Sequence, residues 1–214
     1  VANRARKDHI ITVEDPIEFV HQSQGCIVNH REVGVHTDSF STALRGALRE
    51  DPDIILVGEM RDLETISLAV EAASTGHLVF STLHTSSAYK TVDRVIEVFP
   101  SSEQPLIRST LSDGLRAVVA QTLFKRIDRK GRVVALEILI ANPAVRNLIR
   151  EGKTHQIPSM IQTGKKYGMI LLDDSIMNLY TKGMVSAEEA YAKANDKGRF
   201  RPLLKTAPPD FTEA

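Results

Sequence analysis

The sequence predicts an α/β fold, a parallel sheet with crossover helices, followed by a mostly helical C-terminal part. Three observations predict it. Ile54-Ile55-Leu56-Val57 is an apolar, β-branched run of strand length, entered from Glu50-Asp51-Pro52 and left at Gly58, which reads as a central strand buried on both faces of a parallel sheet. Strand and helix patterns alternate through the first half, the order that builds such sheets. Polar side chains gather where those strands end, the edge at which open α/β sheets bind ligands.

The chain has 214 residues, enough for one sizeable domain or one with a small appendage. Hydrophobic residues are 42% and charged residues 25% of it, ordinary for a globular protein. Lys+Arg and Asp+Glu are both 27, for a net charge of +0, which argues against a broad nucleic-acid footprint. A single cysteine, Cys26, excludes an internal disulfide and a cysteine-rich zinc site and points to a reducing compartment. No apolar run reaches membrane-spanning length; the longest, residues 133–141, contains Glu137. The chain starts at Val1 in a polar stretch and is expected to be a piece of something longer.

Residues 1–8 are basic (Arg4, Arg6, Lys7) and fit the end of a helix. Residues 9–13 form the first expected strand, stopped by Pro16 within Glu14-Asp15-Pro16-Ile17-Glu18. Residues 19–37 are mixed, with turn points at Gly25 and Gly34, and form a hairpin or a long loop. Asp38 or Ser39 caps a helix running to Glu50, with Phe40, Ala43, Leu44, Ala47 and Leu48 on one face. After the strand at Ile54, Asp62 caps a helix over residues 63–74 with Gly76 at its C′ position. Residues 78–83 make a third buried strand, ending at His84-Thr85-Ser86.

The second half changes character. Residues 91–98 predict a short helix closed by Pro100. Residues 102–127 predict one long helix from the spacing of Leu106, Ile107, Leu111, Leu115, Val118, Val119 and Leu123, weakened at Gly114. Residues 132–140 read as a strand, and Asn142-Pro143 opens a helix closed by Gly152. Val145, Leu148 and Ile149 share the packed face of that helix, leaving Arg146 and Arg150 available to a partner. Asp173 or Asp174 caps a helix ending near Gly183, and Ser186-Ala187-Glu188-Glu189 is a capping box for the last one. The expected division is a core at 1–127, a helical region at 128–200 and a disordered tail at 201–214.

Three strand ends thus deliver Glu14, Asp15 and Glu18, then Glu59, then His84, Thr85 and Ser86 to one sheet edge. That set suits a hydrolytic or phosphoryl-transfer site, which needs a magnesium-anchoring carboxylate, a water-orienting group and cations. Glu59 is the carboxylate for magnesium. Arg31, Arg45, Arg49 and Arg61 are the candidate cations, Arg45 and Arg49 sharing one helix face. His77 and His84 fall at opposite ends and on opposite faces of one strand, so they do not ligate one metal; His77 is structural or at a subunit contact. A phosphate loop Gly-x4-Gly-Lys-Ser/Thr is absent. Gly152-Lys153-Thr154 only mimics its tail, since Asn147 stands where the first glycine belongs.

These motifs form a familiar set. Ile11-Thr12-Val13-Glu14-Asp15-Pro16-Ile17-Glu18 resembles the Asp box of secretion and pilus ATPases. Residues 53–62, preceded by Arg45-x3-Arg49-Glu50-Asp51-Pro52, resemble their Walker B region, and residues 74–85 resemble their His box. Residues 144–152, Ala-Val-Arg-Asn-Leu-Ile-Arg-Glu-Gly, are similar to the AIRNLIRE motif of retraction ATPases of type IV pili. The resemblance runs from His9 to about Ala194. It implies a RecA-like domain of a hexameric ATPase that uses ATP and Mg2+ to power pilus disassembly and twitching motility. Glu14 and Glu18 would act near the attacking water, Glu59 as the Walker B glutamate, and His77 and His84 as the His-box histidines. Arg31, Arg45 and Arg49 would reach the nucleotide, some across a subunit boundary, with Asp15, Arg61 and Thr85 completing the nucleotide-contacting set.

The implied partners are five further copies of the chain in a homohexamer, an inner-membrane pilus platform protein and another retraction ATPase. No nucleic acid is implied, and membrane association comes only through partners, in the cytoplasm at the inner-membrane base of the pilus machine. The single Cys26 departs from the extension and type II secretion ATPases, which usually carry a four-cysteine zinc module. An accessory retraction ATPase and a non-catalytic assembly module are the alternative readings. Met169-Ile170-Leu171-Leu172-Asp173 departs from the family's usual Met-Gln-Thr-Leu-Asp. The phosphate loop and a PAS-like domain are expected upstream of Val1. Without the loop's backbone amides and lysine to hold the β- and γ-phosphates, this chain by itself should bind ATP·Mg weakly or not at all. Titration with labelled nucleotide checks this, and submicromolar binding would contradict it.

Overall fold

The protein is described by a computed structural model covering residues 1–206, in which it divides into two units. The first comprises residues 1–84, 93–115 and 149–152, and the second residues 85–92, 116–148 and 153 onward. No helix among the described residues is long and apolar enough to cross a membrane.

The first unit opens with a short helix, α1 (Ala2–Ala5), and is built on a four-stranded parallel sheet. Its strands are β1 (His9–Glu14), β2 (Ile27–Glu32), β3 (Ile54–Val57) and β4 (Leu78–Ser81), in the order β2-β1-β3-β4. Helices α2 (Phe40–Ala47) and α3 (Leu63–Ser74) lie between the later strands in sequence. Both start where their caps predict. Ser39 Oγ accepts the Thr42 N–H at 3.1 Å and Asp62 Oδ1 the Thr65 N–H at 2.8 Å. Gly76, at φ +108°, makes the left-handed turn out of α3. Leu44 of α2 and Leu68 and Ala72 of α3 pack on Ile55 and Val57, with Val79 at the margin.

β2 replaces the hairpin or long loop expected over residues 19–37. It is an outer strand that pairs only with β1, so half-exposed Asn29, His30 and Arg31 are tolerated and the hydrophobic signature of a buried strand is missing. The third strand is also less buried than expected. β4 stops at Ser81 and is the other outer strand, with Leu78 42% and Phe80 52% exposed. The helix expected up to Glu50 ends at Ala47, which leaves Arg49 in the following turn rather than on one helical face with Arg45.

Helix α4 (Ala88–Glu97) contributes its first residues to the second unit and its last to the first. In the first unit Val95 and the following Phe99 pack with Ile66, flanked by Ile107 and Leu111 of α5 (Gln104–Gly114). The long helix expected over residues 102–127 is corrected here. α5 stops at Gly114, Leu115 turns extended, and β5 (Ala117–Lys125) follows. Val118, Ala120 and Phe124 are buried while Ala117, Val119, Gln121 and Leu123 are exposed. This alternation of two hides within the three-and-four spacing that Leu111, Leu115, Val118 and Val119 also satisfy.

In the second unit β5 pairs antiparallel with β6 (Arg132–Ile140), from Ala117 opposite Ile140 to Lys125 opposite Arg132. Helices α6 (Pro143–Arg150), α7 (Ile157–Thr163), α8 (Leu172–Thr181), α9 (Ala187–Lys193) and α10 (Lys197–Phe200) follow. Phe124 and Ala135 of the ribbon form a core with Leu172, Ile176, Val185, Ala190 and Phe200. Asn142 caps α6 through the Val145 N–H at 3.0 Å, and Ser186 caps α9 through the Glu189 N–H at 3.2 Å. Glu189 does not close the box back on Ser186; it accepts from the Lys125 N–H and from Lys193 Nζ. Of the tail expected at 201–214, the described part carries a 3-10 turn at Arg201–Leu203. Residues 207–214 lie outside the described residues.

Neither Asp173 nor Asp174 caps α8. Asp173 is buried and accepts the Asn195 and Asp196 N–H groups at 2.9 and 2.8 Å; Asp174 pairs with Arg199 and Lys165. Glu137 takes the capping role instead. Its carboxylate, 4% exposed, accepts the Ala88 N–H that opens α4 at 2.7 Å and the Leu172 N–H that opens α8 at 3.3 Å. The positive ends of two helices thus converge on one buried acid. Removing it orphans two buried amides, so Glu137→Ala should destabilise the chain by about 3 kcal/mol and Glu137→Gln by roughly a third of that. Urea unfolding checks this, and an alanine variant within about 0.5 kcal/mol of the parent would contradict it.

Candidate active site

The exits of β1, β3 and β4 are fastened to one another by the backbone just past the strands. The Gly58 N–H donates to the Val13 carbonyl at 2.7 Å, the Thr82 hydroxyl donates to the Gly58 carbonyl at 2.6 Å, and the Met60 N–H donates to the Thr82 carbonyl at 3.2 Å. Glycine at position 58 suits this approach. A Cβ there would stand 3.2 Å from the Val13 oxygen and 3.3 Å from Glu14 Cα. Glu59 and Glu14 are brought together in this way, although 45 positions separate them in the chain.

Glu59 is flanked on both oxygens. Oε2 pairs with Arg61 Nη2 at 2.7 Å and Oε1 with His84 Nε2 at 2.9 Å. The hydrogen bond from Arg61, followed by the Arg61 and His84 charges, holds the Glu59 carboxyl below the usual carboxylate range. Glu59 therefore gives up its charge at a lower pH than an unpaired glutamate does. Glu59 raises the Arg61 pKa in return, first by the hydrogen bond and then by its charge, and Asp15 adds to it from the β1 exit. The carboxylate itself is 19% exposed, whereas Arg61 is 67% and His84 83% exposed. The two flanking groups are thus far more exposed than the acid they pair with.

Glu14 is held on both oxygens as well. Oε1 accepts the Thr12 hydroxyl at 2.7 Å and Oε2 the Glu18 N–H at 3.3 Å. Glu18 lies beside it through its backbone, with an exposed side chain. Thr12, its partner His30 and Thr82 were invisible as site residues. The available signal was that Thr12 stands two before Glu14 on a strand and so shares its face.

The other expected residues are not drawn to Glu59. Arg31 pairs with Glu50 and donates to the Ala43 carbonyl, and Arg45 pairs with Glu64 at 2.8 Å, which lowers the Glu64 pKa. Arg49 is exposed beyond α2. His77 stands at the entry of β4, its Nδ1 2.9 Å from the Ala72 carbonyl. Thr85 belongs to the second unit, where its hydroxyl meets that of Thr91 at 2.6 Å. Nor do the arginines of α6 stand open for a partner: Arg146 donates to the Ala141 carbonyl at 2.9 Å and Arg150 pairs with Asp113 at 2.8 Å. Val145 and Ile149 are fully buried, as their spacing predicts.

Among the described residues no group of three or more His, Cys, Asp or Glu side chains could hold a metal ion. Magnesium usually needs only one or two protein carboxylates when phosphates and water fill its shell. A partly shielded Glu59, next to Gly58 and its neighbour Glu14, fits that donor set.

The profile of the family described as "Type II/IV secretion system protein" matches residues 2–130. The curated "Type IV pilus retractation ATPase PilT" of Pseudomonas aeruginosa is 60% identical over 192 residues, which are 90% of this chain and 56% of that protein. A "Twitching motility protein" of Neisseria gonorrhoeae is 57% identical over 194 residues, 91% of this chain and 52% of that one. The chain therefore spans little more than half the length of these relatives. A crystal structure of the pilus retraction motor PilT with bound ADP superposes with a TM-score of 0.86 at 46% identity, over 92% of this chain and 56% of that one. The α/β, RecA-like fold expected from the sequence is the fold of that motor. The parallel sheet, the fastened strand exits and the extent of the profile match agree: the chain belongs to the type II/IV secretion system protein family.

Proposed function

We propose that this chain is the C-terminal motor part of a hexameric ATPase that hydrolyses ATP to retract type IV pili and so drives twitching motility. It would work in the cytoplasm at the inner-membrane base of the pilus machine, against a platform protein and beside a second retraction ATPase, without touching nucleic acid. Residues 1–127 would supply the catalytic core and residues 128–200 the part that transmits its motion. The observation that carries this reading is the pair of acids at adjoining strand exits, Glu59 between Arg61 and His84, and Glu14 between Thr12 and Glu18. The 60% identity to a retraction ATPase supports the choice within the family.

In this reading Glu59 and Asp15 face the nucleotide's magnesium and phosphates. Mg2+, when bound, supplies charge neutralisation on those phosphates. Glu14, with Glu18 beside it, orients the attacking water, because a carboxylate fixed through both oxygens can accept a proton from water at a defined position. Arg61 and His84 exchange their bonds with Glu59 for bonds to phosphate oxygens, which their exposure permits. Arg31, Arg45 and Arg49 lie on the β2–α2 side and would serve the nucleotide of a neighbouring copy.

In the full-length ATPase, Glu59→Gln removes charge at nearly constant shape. It should lower phosphate release by about 10²-fold or more while leaving hexamer assembly intact. Near-normal turnover in assembled hexamers would remove Glu59 from the site.

A further inference from the structure

Behind Glu14 runs a line of hydrogen bonds that ends at a backbone amide. Thr12 and Glu14 share one face of β1, and His30 stands opposite Thr12 on β2. The Thr12 hydroxyl donates to Glu14 Oε1 at 2.7 Å, His30 Nδ1 lies 2.9 Å from Thr12 Oγ1, and the His21 N–H donates to His30 Nε2 at 3.0 Å. Thr12 is 2% exposed, and the side chains of His30 and Glu14 are 14% and 13% exposed. The His21 and His30 rings stack, with centroids 6.1 Å apart.

Proton counting gives this line a direction. His30 Nε2 meets both the His21 N–H, at 3.0 Å, and the His21 carbonyl, at 3.2 Å; taking the shorter contact, Nε2 accepts from the N–H, and a neutral His30 then carries its proton on Nδ1. Thr12 has one hydroxyl proton. With Nδ1–H donating to its oxygen, that proton is free to go to Glu14, which as a carboxylate can only accept. Every group in the line then has the partner its chemistry requires; the opposite tautomer, with Nε2–H on the His21 carbonyl and the Thr12 hydroxyl donating to Nδ1, leaves Glu14 Oε1 without the Thr12 proton. The second Glu14 oxygen takes the Glu18 N–H at 3.3 Å, from the same loop that carries His21.

We infer that Thr12 and His30 are positioning residues for Glu14: the His21 amide selects the Nδ1–H tautomer of His30, which turns the Thr12 hydroxyl onto Glu14 Oε1 and fixes the acid's lone pairs toward the water. The inference rests on the reading of Glu14 as the residue beside that water. Thr12 and His30 touch neither nucleotide nor water, so their effect falls on turnover rather than on nucleotide affinity.

The test has two arms, both on the full-length ATPase. In the first, nitrogen-15 NMR of labelled histidine reads the His30 tautomer near neutral pH. Nδ1–H is expected, and an Nε2–H tautomer overturns the inference. In the second, steady-state phosphate release is compared for Thr12→Val, Thr12→Ser and Glu14→Gln. Val keeps the shape without the hydroxyl and should lower kcat at least about tenfold with KM for ATP within about twofold, while Ser returns kcat to within about threefold of the parent. A valine variant with parental kcat, where Glu14→Gln is inactive, overturns the relay and leaves the role of Glu14 standing. Full activity in Glu14→Gln overturns the role of Glu14 itself, and the inference with it. A loss in both Thr12→Val and Thr12→Ser also overturns it, because the hydroxyl is then not what matters. His30→Asn, which keeps an N–H at the Nδ1 position, should retain more activity than His30→Leu; equal losses count against the tautomer argument.

Discussion

The geometry of the candidate site depends on the close approach of two strand exits at Gly58. A residue without a Cβ lets β3 leave its strand this near the Val13 carbonyl and the Glu14 backbone without displacing either. Two further bonds, from the Thr82 hydroxyl and the Met60 amide, bring the β4 exit into the same arrangement. The side chains then have little freedom over where they stand. Glu59 is the residue after the approach, Glu14 the residue beneath it, and His84 arrives two residues after Thr82. A parallel sheet makes this possible because all of its strands end on the same side.

Charge is distributed unequally around that arrangement. Both acids at the strand exits are partly shielded, Glu14 by bonds from Thr12 and the Glu18 amide, while Arg61 and His84, the partners of Glu59, are exposed and replaceable. Arg31 and Arg45 are engaged elsewhere, with Glu50 and Glu64. Around Glu59 the positive charge of this chain comes from Arg61 and His84.

Much of the first unit was legible because its signals are local. Ile54–Val57 and Leu63–Ser74 were read to the residue, since a β-branched apolar run and an Asp cap at a helix start need no knowledge of distant partners. Glu59 and His84 followed from the strand ends. What could not be read was whatever depends on a neighbour. β2 looked irregular because an outer strand carries Asn29, His30 and Arg31 without penalty. β5 looked helical because apolar residues on both of its faces, inward Val118 and outward Val119 and Leu123, together fit helical spacing. Glu137 looked like a blemish in an apolar run, and it is the acid on which α4 and α8 begin. The arginine partners were illegible for the same reason, because Glu50, Glu64 and Asp113 lie 19, 19 and 37 positions away from them.

The outer position of β4 has a practical consequence for handling this polypeptide. One side of the strand is secured to β3, and among the described residues no strand pairs with its other side, where Leu78 and Phe80 are both well exposed. Such an edge is a template for adding a strand from another molecule. With four residues it is too short to seed an ordered fibre readily, but with a net charge of +0 there is little long-range repulsion to keep molecules apart. The polypeptide should cloud as it is concentrated, most readily near its isoelectric point of about 7.2. Moving the buffer away from that pH, or placing a lysine at position 80, should keep it in solution.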